Sequence, residues 1–225
     1  MIYAISDLHL STRGDKPMNV FGSQWDNYVD KIKEDWIAKV KDGDTVLLCG
    51  DLSWAMTIPE AMEDLKEFDS LKGTKIIIRG NHDYWWQGIS KVKAALPPTF
   101  KAIQNDSLLV EDYVVCGTRL WDFPEENDAE NVKIFEREKL RLRLTLDDAV
   151  RRYPDKKMIV MTHYPPFNNF KSSDFTEIIK EYNVYKVVYG HVHGFQSPHK
   201  KEVVIDDIPY ILTSCDLTKF TLTLL

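Results

Sequence analysis

Cysteine is scarce in this sequence, and its few copies are poorly placed for a disulfide framework or a thiolate metal site. Cys49, Cys116 and Cys215 are an odd number, and no two of them form a Cys-x-x-Cys pair. Each lies in or beside an apolar run, which is typical of buried free thiols. This usage favours a cytoplasmic location.

Long apolar runs and basic clusters are also missing. No apolar run approaches the ~20 residues that cross a bilayer, and residues 1–11 lack the basic start and apolar centre of a signal peptide. The net charge is −6 and no run of Lys and Arg exceeds two residues, whereas sequence-independent nucleic-acid binding depends on many cations. The sequence therefore predicts a cytoplasmic protein without a membrane partner, and it disfavours nucleic acid as a partner.

The composition is that of an ordinary globular protein. Of the 225 residues, 44% are hydrophobic and 28% are charged, which disfavours disorder over most of the length. No repeat, low-complexity segment or linker divides the chain. Because large folds that contain β-strands often reach this length, we expect residues 1–225 to form a single domain.

Short apolar runs alternate with amphipathic stretches, which is typical of an α/β fold. The runs predict strands at 2–5, 45–49, 75–80, 107–110, 113–117, 158–162, 186–190, 202–206, 209–213 and 219–224. Helical periodicity predicts helices at 24–40, 57–68, 84–95, 132–152 and 174–181, and residues 119–131 are expected to form a surface loop. Thr57 and Glu60 have the spacing of a capping box at the start of the second helix.

Five of the predicted strands end in small or polar residues that could carry chemistry. These segments read SDLH, CGDLS, RGNHD, THYPP and YGHVHG. Ligands and catalytic residues of α/β proteins collect at the carboxyl ends of strands, where loops converge. The five endings therefore indicate one shared site.

Histidine is confined almost entirely to these strand ends. Of the six histidines, only His199 lies elsewhere; the others are His9, His82, His163, His191 and His193. Each motif taken alone is explained by a turn or a satisfied loop histidine, but their joint placement is not. Imidazole, carboxylate and amide oxygen together suit Zn, Mn, Fe(II), Ni or Co. More ligands are present than one tetrahedral ion needs, so we expect two ions with a bridging carboxylate.

The order of these motifs resembles that of the calcineurin-like metallophosphoesterases. The matching motifs are Asp7-x-His9, Gly50-Asp51, Gly80-Asn81-His82-Asp83, His163 and Gly190-His191-x-His193. The resemblance implies a four-layer αββα sandwich, with two mixed β-sheets flanked by helices. It also implies two divalent ions, Mn, Fe or Zn, that share one site.

The resemblance implies a role for each motif residue. One ion would be held by Asp7, His9, Asp51 and His193, and the other by Asp51, Asn81, His163 and His191. His82 would then be the general acid, and Asp83 would orient its ring.

The second motif differs from that of the protein Ser/Thr phosphatases. That branch carries an arginine in this motif that contacts phosphate, whereas this chain has Gly50-Asp51-Leu52-Ser53-Trp54. A protein phosphatase is therefore disfavoured. The first motif is more similar to the bacterial phosphodiesterase and nucleotide-ester branches.

Two further features bear on the substrate. The aromatic residues near the motifs are Trp54, Tyr84, Trp85, Trp86 and Trp121. We expect most of them to pack in the core. One or two are expected to line the pocket and stack on a flat group of the substrate. Arg119, which follows a strand-ending glycine, is a candidate for binding a substrate phosphate, with a surface salt bridge as the alternative.

These observations predict an enzyme that hydrolyses a small phosphate ester. The nucleophile would be a hydroxide that bridges the two metals, and His82 would protonate the leaving group. A small phosphodiester or nucleotide-type ester is the expected substrate, with a phosphomonoester or a lipid-precursor pyrophosphate as alternatives. A DNA nuclease is disfavoured by the low basicity. The alternative from another class is a non-catalytic metal-binding scaffold, against which the presence of His82 and of a complete ligand set argues.

Overall fold

Strands and helices alternate through most of the computed structural model, which describes residues 1–125, 127–194 and 200–225. The strands are β1 (Ile2–Ile5), β2 (Thr45–Leu48), β3 (Thr74–Ile77), β4 (Phe100–Ala102), β5 (Ser107–Val110), β6 (Tyr113–Thr118), β7 (Lys157–Thr162), β8 (Val184–Tyr189), β9 (Glu202–Ile205), β10 (Ile208–Leu212) and β11 (Thr223–Leu224). The α-helices are α1 (Tyr28–Lys39), α2 (Ile58–Asp69), α3 (Ile89–Ala95), α4 (Ala129–Arg152) and α5 (Asp174–Ile179). Two short 3-10 helices, Met18–Phe21 and Ser23–Trp25, precede α1.

The strands form two mixed sheets. The first has the order β11-β1-β2-β3-β4, in which β1 to β4 are parallel and β11 pairs with β1 antiparallel. The second has the order β5-β6-β7-β8-β10-β9, with β6, β7, β8 and β10 parallel and antiparallel strands at both edges. Parallel neighbours place their carboxyl ends at the same edge of the sheet, which is where the polar motifs lie.

Three apolar layers hold the two sheets and their helices together. Successive side chains of a strand point to opposite faces, so Tyr3 and Ile5 pack towards α1 and α2, while Ile2 and Ala4 face the second sheet. The middle layer joins both sheets, and a third layer packs the second sheet against α4 and α5. Strands buried on both faces explain the nearly continuous apolar runs. The four-layer αββα sandwich predicted from the motifs is confirmed.

The helix starts follow local capping chemistry. At α2, the Thr57 side chain and Glu60 form the predicted capping box. At α5, Ser173 accepts from the backbone N–H groups of Phe175 and Thr176. Such a cap is worth about 0.5–2 kcal/mol, which helps fix where each helix begins.

The predicted helix at 84–95 is shorter in the structure, because α3 begins only at Ile89. Residues 84–88 form turns, in which the N–H of Trp86 donates to the Asp83 carbonyl. Trp85 and Trp86 are both buried, and two adjacent side chains cannot lie on the same narrow face of a helix. Two other predicted elements are also shorter in the structure. The helix predicted at 24–40 occupies only Tyr28–Lys39, and the strand predicted at 219–224 occupies only Thr223–Leu224. Strand β4 was not predicted.

The thiols agree with the prediction, since the three cysteines are buried and free. No helix in the described part of the chain is both long and apolar enough to cross a membrane.

Candidate metal centre

The polar motifs meet at one end of the two sheets. Asp7 and His9 follow β1, Asp51 follows β2, and Asn81 follows β3. The second sheet contributes His163 after β7, and His191 and His193 after β8. Two groups have ligand atoms that all lie within 4.8 Å of one another: Asp7, His9 and His193; and Asp7, Asp51 and His163. The structure thus brings together residues from five strands.

Asp51 belongs to the second group and also faces His9 of the first. Its Oδ2 is 3.9 Å from the Nε2 of His9 and 3.5 Å from the Nε2 of His163. Its Oδ1 accepts a hydrogen bond from the backbone N–H of His82, at 2.8 Å. One carboxylate oxygen therefore faces a histidine from each sheet, which is the placement that a bridging ligand requires.

Asn81 joins the remaining histidines. Its Oδ1 lies 2.6 Å from the Nε2 of His163 and 3.0 Å from the Nδ1 of His191. The opposite nitrogen of His163, Nδ1, donates to the backbone carbonyl of Cys49, at 2.9 Å. In the neutral form that binds a metal, the ring carries one proton, and this bond places it on Nδ1. Nε2 is then the unprotonated nitrogen that would face an ion held between it and the oxygens of Asp51 and Asn81.

His193 is oriented by a residue that the sequence motifs did not include. Its Nδ1 is 3.0 Å from the buried carboxylate of Asp216, and its Nε2 is 3.2 Å from Oδ1 of Asp7. Asp216 also accepts from the N–H of Gly194. A carboxylate behind a histidine is a common support for a metal ligand. In the sequence, Asp216 shares one feature with the motif residues, because it follows a strand, β10.

Four of these residues have left-handed backbone conformations. The φ angles are 61° at Asp7, 46° at His9, 52° at Asp51 and 69° at His191. Such angles are uncommon for residues with a side chain and persist where surrounding contacts enforce them. The turns direct four ligand side chains to one point, at a cost of order 1–3 kcal/mol each.

Burial and charge shift the protonation of the cluster in opposite directions. Burial lowers the pKa of His9 to about 4 and that of His191 to about 4. Burial also disfavours a charged His163, but the Asp51 carboxylate outweighs it and raises its pKa to about 9. For Asp7, the charge of His193 overcomes burial and holds the pKa well below its usual range. The charge interactions thus couple His163 to Asp51 and His193 to Asp7, and they favour the charged form of each partner.

The donor set fits divalent ions. Imidazole nitrogens, two buried carboxylates and an amide oxygen converge, and this mixture suits Zn, Mn or Fe(II). The Nε2 of His9 lies 3.9 Å from Oδ2 of Asp51, beyond hydrogen-bond distance, which leaves space for an ion that both atoms contact. The two groups of ligand atoms share Asp7, and Asp51 belongs to the second of them.

Asp83 does not have the role that the resemblance implied. Its buried carboxylate accepts from five N–H groups: the backbones of Asp51, Leu52, Ser53 and Gly80, and the indole of Trp85. Within the described residues, the polar partner of the His82 ring is the Tyr84 hydroxyl, 3.3 Å from Nδ1. The predicted pairing of Asp83 with the His82 ring is therefore wrong, because the backbone around Asp51 occupies the carboxylate.

Arg119 is neither at the metal ligands nor in a surface salt bridge. Its side chain is 14% exposed, lies 3.8 Å from the fully buried carboxylate of Glu138 and stacks over Trp121 at 4.5 Å. Its backbone carbonyl accepts from the N–H groups of His163 and Tyr164. Arg119 therefore borders the candidate centre through its backbone and faces a second cavity with its side chain.

An apolar cavity of about 360 Å³ opens beside the histidines. His9, His82 and His193 form its inner wall, and Met18, Phe21, Trp25 and Trp54 contribute apolar surface. Trp54 stacks on the His9 ring, with centroids 4.9 Å apart. Trp85 and Trp86, by contrast, belong to the core. The aromatic residues are thus divided between packing and the cavity wall.

Comparisons with known proteins agree with this geometry. The sequence profile of a family described as calcineurin-like phosphoesterase matches residues 1–195. None of the functionally curated proteins has a matching sequence.

Solved structures resemble the whole chain. A protein of unknown function from Aquifex aeolicus is 17% identical with a TM-score of 0.52, over 99% of this chain and 94% of that one. A protein from Thermus thermophilus is 16% identical with a TM-score of 0.59, over 98% and 96%. A protein described as a novel archaeal phosphodiesterase is 16% identical over 96% and 84%, but its TM-score of 0.45 is too low to support an inference. At these identities the similarity shows the fold alone.

Proposed function

Since this chain belongs to the calcineurin-like phosphoesterase family and is therefore a metallophosphoesterase, we propose that it hydrolyses a small phosphodiester or nucleotide-type ester at a centre that holds two divalent ions. The observation that carries the proposal is the position of Asp51, whose Oδ2 faces His9 on one side and His163 on the other.

Two ligand sets that share Asp51 would hold the two ions. Asp7, His9, Asp51 and His193 would hold one, and Asp51, Asn81, His163 and His191 the other. When bound, divalent ions polarise the phosphoryl group and lower the pKa of water, so that it attacks at neutral pH. Mn, Fe and Zn all suit this mixture of nitrogen and oxygen donors.

In this proposal His82 protonates the leaving oxygen. Its ring lies on the wall of the apolar cavity, 5.7 Å from the His9 ring and 4.6 Å from Trp54. The backbone N–H of His82 is anchored to Asp51, and its Nδ1 faces the Tyr84 hydroxyl. This leaves Nε2 as the ring nitrogen available to donate a proton to a substrate.

Asp83 acts as a positioning residue in this proposal. By accepting N–H groups on both sides of the centre, it joins the turn after β2 to the turn after β3. The two turns carry Asp51 and Asn81, whose separation it therefore fixes. The N–H groups of preorganised turns keep ligands in place without reorganisation.

The apolar cavity supports an ester with a flat or apolar group. A volume of about 360 Å³ beside His82 leaves room for the leaving group of the ester. The walls from Trp25 and Trp54 provide faces on which a ring stacks. A phosphomonoesterase or a lipid-precursor pyrophosphatase would use the same centre, and the relative rates on mono- and diesters separate these activities.

The test is to load the protein with Mn and measure hydrolysis of bis(p-nitrophenyl) phosphate and p-nitrophenyl phosphate. We expect faster turnover of the diester. A preference for the monoester would favour the phosphomonoesterase, and no hydrolysis of either ester by protein with full metal content would favour the non-catalytic scaffold.

Metal content provides the first prediction. We expect elemental analysis to find about two ions per chain after loading, and Asp51→Asn to lower the content of both sites, because its carboxylate faces both. Asp112→Asn is the matched control, since the Asp112 side chain is 92% exposed and pairs only with Lys156 among the described residues. Saturation of the wild type at one ion would contradict the two-ion centre.

A further inference from the structure

A second, smaller cavity lies beyond the metal centre, beneath helix α4. We call it the arginine cavity; its polar lining consists of Arg79, Gln87, Gln104, Thr118, Arg119, Glu138 and Arg141. None of the described residues lines both this cavity and the apolar one. Its volume is about 80 Å³, several times the ~10–15 Å³ that one water needs by the same measure. The space is large enough for a small tetrahedral anion.

The charges around this cavity do not balance. Glu138 is fully buried, and its Oε1 lies 2.7 Å from Nη1 of Arg141 and 3.8 Å from Nη2 of Arg119. Thr118 donates to the other oxygen, at 3.3 Å. The lining thus holds one carboxylate and three guanidinium groups, those of Arg79, Arg119 and Arg141, and Glu138 also pairs with Arg137, at 3.8 Å. Arg119 is 14% exposed, and an excess of positive charge that is partly withdrawn from water is costly unless an anion accompanies it.

Two of the arginines have unused donors. Among the residues that the structure describes, the buried Nε atoms of Arg79 and Arg119 have no hydrogen-bond partner. Arg119 is held in place by stacking over Trp121, so its planar fork is preorganised. Guanidinium groups bind phosphate through such paired N–H donors. The cavity therefore has both the charge and the donors for a phosphate group.

The arginine cavity is built on the strand ends that carry the metal ligands. Arg79 lies two residues before Asn81, and the Arg119 carbonyl accepts the N–H of His163 at 3.2 Å. A molecule bound at the centre therefore has the cavity as a neighbour. We propose that the arginine cavity binds a second, non-reacting phosphate of the substrate, so that the preferred esters carry two phosphate groups.

This proposal rests on the proposed function, and a pair of substrates tests it. The first is p-nitrophenyl ethyl phosphate. The second has the same scissile bond and leaving group, but its ethyl arm ends in a phosphate. Propyl and butyl versions of this arm vary the distance between the two phosphates. We expect kcat/KM to be about ten- to a hundredfold higher for a phosphorylated arm, because hydrogen bonds to charged groups are among the strong ones. Equal values for all arms would overturn the proposal and leave the hydrolase activity standing.

The variant is Arg79→Gln, which shortens and neutralises one side chain while the ion pairs of Glu138 with Arg119 and Arg141 remain. We expect the ratio of kcat/KM for the phosphorylated arm to kcat/KM for the ethyl arm to fall towards one. Arg143→Gln is the matched control, since Arg143 lies on α4 and pairs with Glu181 at the surface; it should keep the preference. A preference that survives in Arg79→Gln would overturn the proposal.

A binding measurement separates this inference from the hydrolase itself. The chelator-treated protein is unfolded by heat in sodium sulfate and in sodium chloride of equal ionic strength. Sulfate should raise the Tm of the wild type and of Arg143→Gln more than that of Arg79→Gln. Equal effects on the three proteins would overturn the anion site, whereas hydrolysis of neither ester would contradict only the proposed function.

Discussion

His163 and His193 illustrate how one hydrogen bond prepares a metal ligand. In each, Nδ1 faces a fixed oxygen, the Cys49 carbonyl or the Asp216 carboxylate, and Nε2 points towards an acid of the centre. A bond of this kind sets both the ring orientation and the position of the proton. The sequence showed the histidines but not these partners, because Cys49 contributes a backbone atom and Asp216 lies 23 residues beyond His193.

His82 is expected to act on the leaving group and not on metal binding. His82→Ala should retain both metals and lose about 10²–10⁴-fold in kcat/KM on an alkyl ester, whose alkoxide leaves poorly without a proton. An ester of p-nitrophenol leaves as an anion, so its hydrolysis should suffer much less. The measurement is kcat/KM on both esters, with metal content determined in parallel.

His191→Ala is the contrast for this prediction. Its ring contacts Asn81, so the variant should damage hydrolysis of both esters alike, together with metal content. Equal losses on the two esters for His82→Ala, with both metals retained, would show that His82 positions the phosphoryl group instead of protonating the leaving oxygen.

Lys75 is a buried charge near the amino end of β3. Its Nζ donates to the Leu71 carbonyl and to the Thr99 hydroxyl, and it lies 5.7 Å from the centre of the Trp36 ring. Burial lowers its pKa to about 8 from 10.5. The unfolded chain therefore binds more protons than the folded protein between these values, so this residue makes stability rise with pH over that window.

Lys75→Met tests this pH dependence. As pH rises from about 8 to 10.5, the free energy of unfolding of the wild type should increase relative to that of the variant. The reason is that Lys75 loses its proton in the folded wild type, so the cost of a buried charge disappears. Urea unfolding at several pH values measures the difference. A difference that stays constant across this range would show that the Lys75 ammonium is well solvated in the folded protein.

At the scale of elements, strand-end glycines let neighbouring segments approach closely. A Cβ added to Gly117, at the end of β6, would lie 2.2 Å from the carbonyl oxygen of Met161 on β7. Gly117→Ala should therefore separate two paired strands and lower the free energy of unfolding by about 1–3 kcal/mol or more.

Gly43→Ala provides the control, since a Cβ at Gly43 meets no atom within 4 Å and its effect should stay within about 0.5 kcal/mol. Chemical unfolding of both variants measures the contrast. Similar free energies of unfolding for the two would mean that β6 and β7 accommodate the added methyl group.

The sequence predicted elements well where a local rule determines them. The capping box at Thr57 and the apolar run of β2 required no knowledge of distant residues, and both appear in the structure. Residues 84–88 were predicted as part of a helix, but the burial of both Trp85 and Trp86 and the bond of Trp85 to Asp83 hold them in turns. The left-handed turns at Asp7 and Asp51 depend on contacts between strands, so the residue types alone could not indicate them.

At the scale of the molecule, the layer between the sheets is expected to make the chain unfold as one domain. Ile2 and Leu47 of the first sheet pack there with Val115 and Ile159 of the second, and the candidate metal ligands also come from both sheets. Far-UV circular dichroism and tryptophan fluorescence should therefore report coincident thermal transitions. Two separate transitions would show that the sheets unfold independently.

Chelation should shift that single transition. Ions that bind only the folded protein stabilise it by mass action, by about 2.7 kcal/mol at a free concentration of 100 times Kd. Removal of metal should lower the Tm, and added Mn should restore it. The Asp112→Asn variant should respond like the wild type, whereas Asp51→Asn should show a smaller shift.

The order of the candidate ligands along the chain also determines when each becomes available during translation. Asp7 is made early, but its partner His193 follows 186 residues later, which corresponds to about 10–40 s at ribosomal rates of ~5–20 residues per second. The second sheet supplies no histidine until His163 is made, and His191 and His193 follow it. The nascent first half therefore cannot complete the centre, whose candidate ligands are all present only after His193 has left the ribosome.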